Sequence, residues 1–193
     1  IGYDTDKMSI HLIQFANLYR DGEKMSMSTR SGEFITLKSL ADEIGPDAIN
    51  FFYINKKIEQ HLDFEINTAL SKDKDNPVYY IQYAHARIEK IIQKVSTDNL
   101  NFDDRELIDP KEQELLRLLN SYVQTIEQAM DTLQPQLITN YLYKLSQSFH
   151  SYYANVKIIG EEINYSRVSL VMAVQKILKN GLNLFDISAP EDM

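Results

Sequence analysis

Asn76-Pro77-Val78-Tyr79-Tyr80-Ile81-Gln82-Tyr83-Ala84-His85-Ala86-Arg87, continuing through Ile88 to Val95, is the stretch on which the fold turns. Val78, Ile81, His85, Ile88, Ile92 and Val95 recur at alternating spacings of three and four, which places them on one face of a helix. Asn76 supplies a side-chain cap and Pro77 suits the first turn, where its missing N–H costs nothing. A second stripe, Tyr80, Tyr83, Arg87, Lys90 and Lys94, runs along the opposite face at the same spacing. One face therefore packs, and the other is aromatic and then basic. Tyrosine rings stack on unpaired bases while Arg and Lys meet phosphates, the combination that single-stranded RNA loops require. The same stripe also fits tyrosines filling a bundle interface beside a solvated basic rim. His85, on the apolar side, reads as a buried, hydrogen-bonded structural residue.

Downstream the pattern stays helical. Asp109-Pro110 with Glu112 forms a capping box, and Leu115, Leu119, Tyr122, Ile126, Ala129 and Leu133 predict one helix ending before Pro135. A third helix is predicted over 136–159 on the stripe Leu137, Tyr141, Leu145, Phe149, Tyr152, Val156 and Ile159, with Gly160 to stop it. Phe149 and Tyr152 are core residues on this reading, and Tyr153 lies off the stripe. A fourth helix spans about 165–185. The connections are short except 96–109, so neighbours are expected to pack antiparallel as a bundle.

Upstream, the polar run Ser71-Lys72-Asp73-Lys74-Asp75-Asn76 marks a boundary near residue 70. Before it, an apolar stretch over 9–19 reads as a strand, and Asp21-Gly22 as a turn. The loop Lys24-Met25-Ser26-Met27-Ser28-Thr29-Arg30-Ser31-Gly32 comes next. Phe34-Ile35 returns to extended structure, and Thr36 caps a helix carrying Leu37, Leu40, Ala41 and Ile44 that stops at Gly45-Pro46. A short helix is expected over 47–54. The predicted architecture is mainly α: a helical bundle over 71–193, preceded over 1–70 by a small α/β remnant of a larger domain.

Composition narrows the chemistry. Hydrophobic residues at 44% and charged residues at 25% are ordinary for a globular chain, and no apolar run approaches the roughly 20 residues of a membrane helix. Cysteine is absent, which excludes disulfides and thiolate metal sites, and the four histidines are too scattered to suggest a metal cluster. A net charge of −8 argues against a non-specific nucleic-acid binder while leaving room for a local basic face. The chain opens on Ile1 without a basic-then-apolar leader, so it reads as an internal fragment of a longer, cytoplasmic protein.

The loop 24–32 resembles the KMSKS loop of class I aminoacyl-tRNA synthetases, a segment that stabilises ATP phosphates. Ser31-Gly32-Glu33-Phe34-Ile35-Thr36-Leu37, Leu40, Glu43-Ile44-Gly45, Asp47-Ala48 and Phe51-Phe52 are similar to the stretch after that loop in the arginyl-tRNA synthetases. His61-Leu62-Asp63-Phe64-Glu65 and the run Asn76 to Arg87 resemble that family's entry into its anticodon-binding domain, of the DALR type. Phe149-His150-Ser151-Tyr152-Tyr153 and Ser188-Ala189-Pro190-Glu191-Asp192-Met193 extend the match across the chain, with Met193 as the expected natural end.

Aligned through Arg30-Ser31-Gly32, Met27-Ser28 take the family's Met-Ser, while Ser26 and Thr29 stand where its two lysines would be. Read from Lys24 instead, the first lysine is kept and the downstream register slips. The resemblance implies a loop of Met27, Ser28, Thr29, Arg30, Ser31 and Gly32 over the ATP phosphates, with the cation coming from Lys24, Arg30 or another part of the protein. It implies tRNA contact by Tyr80, Tyr83, Arg87, Lys90, Lys94, Tyr153 and Met193, with Phe149 and Tyr152 as further candidates although their place on the apolar stripe favours core packing. For the full enzyme it implies arginine, tRNA(Arg), ATP and magnesium as substrates, in a monomer. The family's HIGH motif and arginine pocket lie upstream, so this chain is expected to be inactive alone and to hold no cofactor or metal. Two alternatives stand beside this reading: the tail of another class I synthetase, and a helical protein-interaction module.

Overall fold

The computed structural model describes residues 8–25, 35–96, 102–160 and 162–193. A three-stranded sheet, in order β2-β1-β3, begins the fold with β1 (Ala16–Arg20), β2 (Glu23–Lys24) and β3 (Leu62–Glu65). The β1–β2 hairpin closes through Asp21 and Gly22, both at positive φ (55° and 77°), the turn whose twist matches paired strands. β3 runs parallel to β1, with Ala16 opposite Leu62 and Tyr19 opposite Glu65. Helices α1 (Leu37–Ile44), α2 (Pro46–Ile54) and α3 (Ile66–Leu70) pack around this sheet. The long helices come after them: α4 (Pro77–Ile92), α5 (Pro110–Asn120), α6 (Tyr122–Thr132), α7 (Gln136–Asn155) and α8 (Tyr165–Asn183).

Local chemistry sets the helix starts. Thr36 accepts from the Ser39 N–H at 3.0 Å, Asn76 from Tyr79 at 3.3 Å and Asn164 from Arg167 at 3.0 Å. At α5 the capping box is complete, Asp109 accepting from Lys111 at 2.8 Å while Glu112 accepts from the Asp109 N–H at 2.9 Å. One continuous core joins the sheet to the bundle, from Leu18, Phe51 and Phe64 to Ile88, Leu145 and Val174. Thr139 Oγ1 also donates to Asn55 Oδ1 at 2.6 Å, tying α7 to the end of α2.

Three elements depart from the sequence expectation. The helix predicted from 110 to before Pro135 is broken at Ser121 into α5 and α6. The Leu118 carbonyl, which would receive Tyr122 N–H in an unbroken helix, instead accepts the Ser121 N–H, the Ser121 hydroxyl at 2.8 Å and the Tyr141 hydroxyl at 2.8 Å. The third helix stops at Asn155 instead of Ile159. Val156 is extended (φ −118°, ψ 128°), Arg167 Nη1 donates to the Lys157 carbonyl at 3.0 Å, and Ile159 pairs with Ile163 in an antiparallel bridge. The strand predicted over 9–19 is regular only over Ala16–Arg20, and Ile10, Leu12, Ile13 and Phe15 are exposed. Phe34, expected in extended structure, and the loop residues Met27 to Gly32 lie outside the described residues.

Candidate nucleic-acid interface

The face that the sequence stripe predicted on α4 is built jointly with α7. Arg87 is its centre: its guanidinium carbon lies 4.4 Å from the Tyr83 ring centroid and 4.8 Å from that of Tyr153. Nη2 donates to the Tyr83 hydroxyl oxygen at 2.7 Å and Nη1 approaches His150 Nδ1 at 3.3 Å. Tyr79 stacks on Tyr83 with the rings 8° from parallel and centroids 6.0 Å apart, and Tyr83 in turn overlaps His150 at 5.8 Å. A cation held between two rings is stabilised by their quadrupoles, by about 0.5–2 kcal/mol. Among the described residues the other Arg87 N–H donors have no partner, so they remain able to meet a phosphate or a base edge.

The hydrogen-bond network fixes the His150 tautomer. Arg87 can only donate, so His150 Nδ1 accepts and Nε2 carries the proton, which it donates to the Tyr80 carbonyl at 3.3 Å. Burial, reinforced by the Arg87 cation, lowers the imidazole from its ordinary 6.5 to about 4, against the opposing pull of the Tyr80 carbonyl. The ring is therefore neutral near pH 7, a flat stacking partner that adds no charge.

Why Tyr153 faces outward is decided one residue earlier. Tyr152 is fully buried and donates its hydroxyl to Glu112 Oε1 at 3.0 Å, and Arg167 Nε donates to the same oxygen at 2.7 Å. This buried junction locks the rotation of α7 about its axis, and the next residue, a hundred degrees further round, reaches the surface. Tyr153 is 42% exposed. From it an open groove of about 440 Å³ continues over Ile91 and Ile159, flanked by Lys94 and Lys157.

The structure thus brings together Tyr83, Arg87 and Tyr153, with Lys94 at the edge. Lys90 is exposed and paired with Asp192 at 2.6 Å, which holds the ammonium pKa up and the carboxyl pKa down. Met193 is 40% exposed at the end of the same segment. Tyr80 turns into the α4–α7 interface against His150 (4.5 Å) and Tyr143 (5.5 Å), and burial pushes its phenol up. The bundle-interface reading of the stripe therefore describes Tyr80, and the outward one describes Tyr83 and Arg87. Phe149, like Tyr152, is fully buried, as its place on the apolar stripe predicted, and His85 is buried with Nδ1 donating to the Pro190 carbonyl at 2.9 Å. Lys24 is exposed on β2, opposite Tyr19. Sequence reasoning passed over Tyr79 and His150 as members of this face. Tyr79 and Tyr83 at i, i+4, and His150 and Tyr153 at i, i+3, were the available signals.

Comparison with known proteins agrees with this architecture. The family model described as the DALR anticodon binding domain matches residues 81–193. The arginine–tRNA ligase of Thioalkalivibrio sulfidiphilus is 42% identical over all of this chain, and that of Nitrosospira multiformis is 44% identical over all of it. The chain spans 34% of the length of each. Among solved structures, a Campylobacter jejuni protein described as an arginyl-tRNA synthetase superposes with a TM-score of 0.91 at 31% identity, covering all of this chain and 42% of that one. The Thermus thermophilus arginyl-tRNA synthetase gives 0.69 at 25% identity over 91% of this chain and 34% of its own. With the family model matching residues 81–193, from within α4 to the last residue, the chain belongs to the DALR anticodon-binding domain family.

Proposed function

We propose that this chain is the part of an arginine–tRNA ligase that grips the anticodon region of tRNA(Arg) and carries the loop over the ATP phosphates. The observation that carries the RNA assignment is the Tyr83–Arg87–Tyr153 arrangement: two partly exposed rings hold a guanidinium that keeps unused donors. Bases flipped out of an anticodon loop find stacking surfaces here, and phosphates find Arg87 beside Tyr153, with Lys94 and Lys157 along the groove. An acidic chain suits this task, because shape and stacking carry recognition and only a few phosphates need contact. Residues 71–193 form the RNA-binding unit in this reading, and 1–70 close the catalytic domain.

The full enzyme joins arginine to its tRNA through an arginyl-adenylate, consuming ATP with magnesium. The loop Met27 to Gly32 contributes hydroxyls and the Arg30 cation at the phosphates, and the resemblance implies a HIGH motif and an arginine pocket upstream of this chain. Two measurements test the proposal. Electrophoretic shift at moderate salt is expected to show binding of arginine tRNA in preference to other purified tRNAs; equal binding of all of them, or selective binding of another, overturns it. Arginine-dependent ATP–pyrophosphate exchange by the isolated chain is expected at background, and robust exchange refutes the division of labour.

A further inference from the structure

The closing segment of the chain is tied down step by step. Asn50 on α2 donates from Nδ2 to the Phe185 carbonyl at 3.1 Å. One turn earlier on the same helix, the Asp47 carboxylate gathers three donors. Oδ1 accepts the Ser188 backbone N–H at 3.2 Å, while Oδ2 accepts the Ser188 hydroxyl and, at 2.8 Å, the side-chain amide of Gln82. That amide, buried on α4, also donates to the Ser188 carbonyl at 3.0 Å. Between these pins Ile187 is inserted into the core, 1% exposed. Further on, His85 holds the Pro190 carbonyl and Lys90 pairs with Asp192.

The partners on α4 are residues 82, 85 and 90, and those on the segment are 188, 190 and 192. Four extended residues cover about 13 Å and eight helical residues about 12 Å. The segment therefore runs as a strap alongside α4 in matched register, so displacing its origin displaces everything beyond. Its fastenings are unequal. The Lys90–Asp192 pair is exposed and weak, and His85–Pro190 is a single bond. The anionic clamp at Ser188, with three donors, is the strong one.

We propose that Asp47 is a positioning residue for RNA recognition: by clamping Ser188 it sets the register of the strap 187–193 along α4, and with it where Met193 is presented. The proposal rests on the RNA-binding reading above. Asp47 itself lies on α2, outside the Tyr83–Arg87–Tyr153 face, and its carboxylate reaches the strap at Ser188 and α4 at Gln82.

The test compares affinity for an arginine-tRNA transcript among the 193-residue chain, Asp47→Ala, Ser188→Ala, a chain lacking Met193, and Asp47→Ala without Met193. Asp47→Ala is expected to bind roughly 5- to 10-fold more weakly. Ser188→Ala, which keeps the backbone N–H bond, should lose less. In the chain lacking Met193, Asp47→Ala should add less than about twofold, because both changes act through one segment. A general structural defect would instead weaken both backgrounds by the same factor. NMR of isotope-labelled methionine methyls gives an independent readout, with the Met193 signal sharpening as the strap is released. Undiminished affinity, full additivity, or an unchanged Met193 signal in both variants overturns the positioning role. Failure of the unaltered chain to bind the transcript overturns the RNA reading instead, and the methyl signal still decides whether the clamp exists.

Discussion

Tyr152 and Tyr153 are neighbours in sequence, yet they serve two regions built from the same parts and put to different ends. In the core, Tyr152 and Arg167 converge on Glu112, which is fully buried; both Glu112 oxygens are occupied, one by Tyr152 and Arg167, the other by the Asp109 N–H. At the surface, Tyr153 and Tyr83 hold Arg87, which is partly exposed and keeps unused donors. A buried charge with every bond made is a structural fixture, because removing a partner strands the rest in a medium that cannot solvate them. A half-exposed cation between rings, with donors to spare, is poised for a ligand. The difference between the frame and the proposed interface lies in completeness of hydrogen bonding, since tyrosine and a charge occur in both.

The sharpest way to break this comparison is at the core. Glu112→Ala is expected to destabilise by about 3–5 kcal/mol, leaving Arg167 and the Tyr152 hydroxyl uncompensated among α5, α7 and α8. Urea unfolding measures it, and a loss below about 1 kcal/mol would show that the junction is not the fixture described. At the interface the order of effects reverses. Tyr83→Ala should weaken RNA binding by about 1–3 kcal/mol, the value of one stacked base, with a much smaller change in unfolding midpoint. Unchanged affinity in the folded variant would remove Tyr83 from the site. Arg87→Gln should lower the slope of log affinity against log salt by roughly 0.7, the share of one phosphate contact on a single strand. An unaltered slope would place Arg87 among stacking groups only.

How much could be read from the sequence depends on how locally each feature is determined. The two faces of α4 and the caps at Thr36, Asn76 and Asp109 were legible, because side-chain period and capping act within one or two turns. The break at Ser121 was hidden, since it depends on the Tyr141 hydroxyl capturing a carbonyl 23 residues away. β3 pairs with β1 across 46 residues, and a four-residue strand carries too little pattern to announce a distant partner. The interface divides in the same way. Tyr83 and Arg87 share one helix, so their common face was legible, whereas the inward turn of Tyr80 is dictated by Tyr143 and His150 on α7. The clamp on Ser188 joins α2, α4 and the last segment, three places that no periodicity connects.

His150 gives the finest test, because the fold holds this group of the candidate interface against its ordinary protonation. Its pKa is about 4 in the folded chain and 6.5 ordinarily, so between those values the unfolded chain binds more protons than the folded one. Stability must then rise with pH in that window: the contribution is complete above about 6.5 and is lost as the pH falls towards 4. The ring is only partly buried, and solvent screening reduces the full shift, so the loss between roughly pH 7 and pH 5 is expected to be about 1–2 kcal/mol. Carboxylates titrate over part of this range too, and His150→Gln isolates the histidine. Glutamine stays neutral while offering one acceptor to Arg87 and one donor to the Tyr80 carbonyl, so the variant should unfold with a flatter pH dependence by that amount. Parallel curves for the two proteins would mean that imidazolium is tolerated beside Arg87, and the neutral tautomer assigned from the hydrogen bonds would then be wrong.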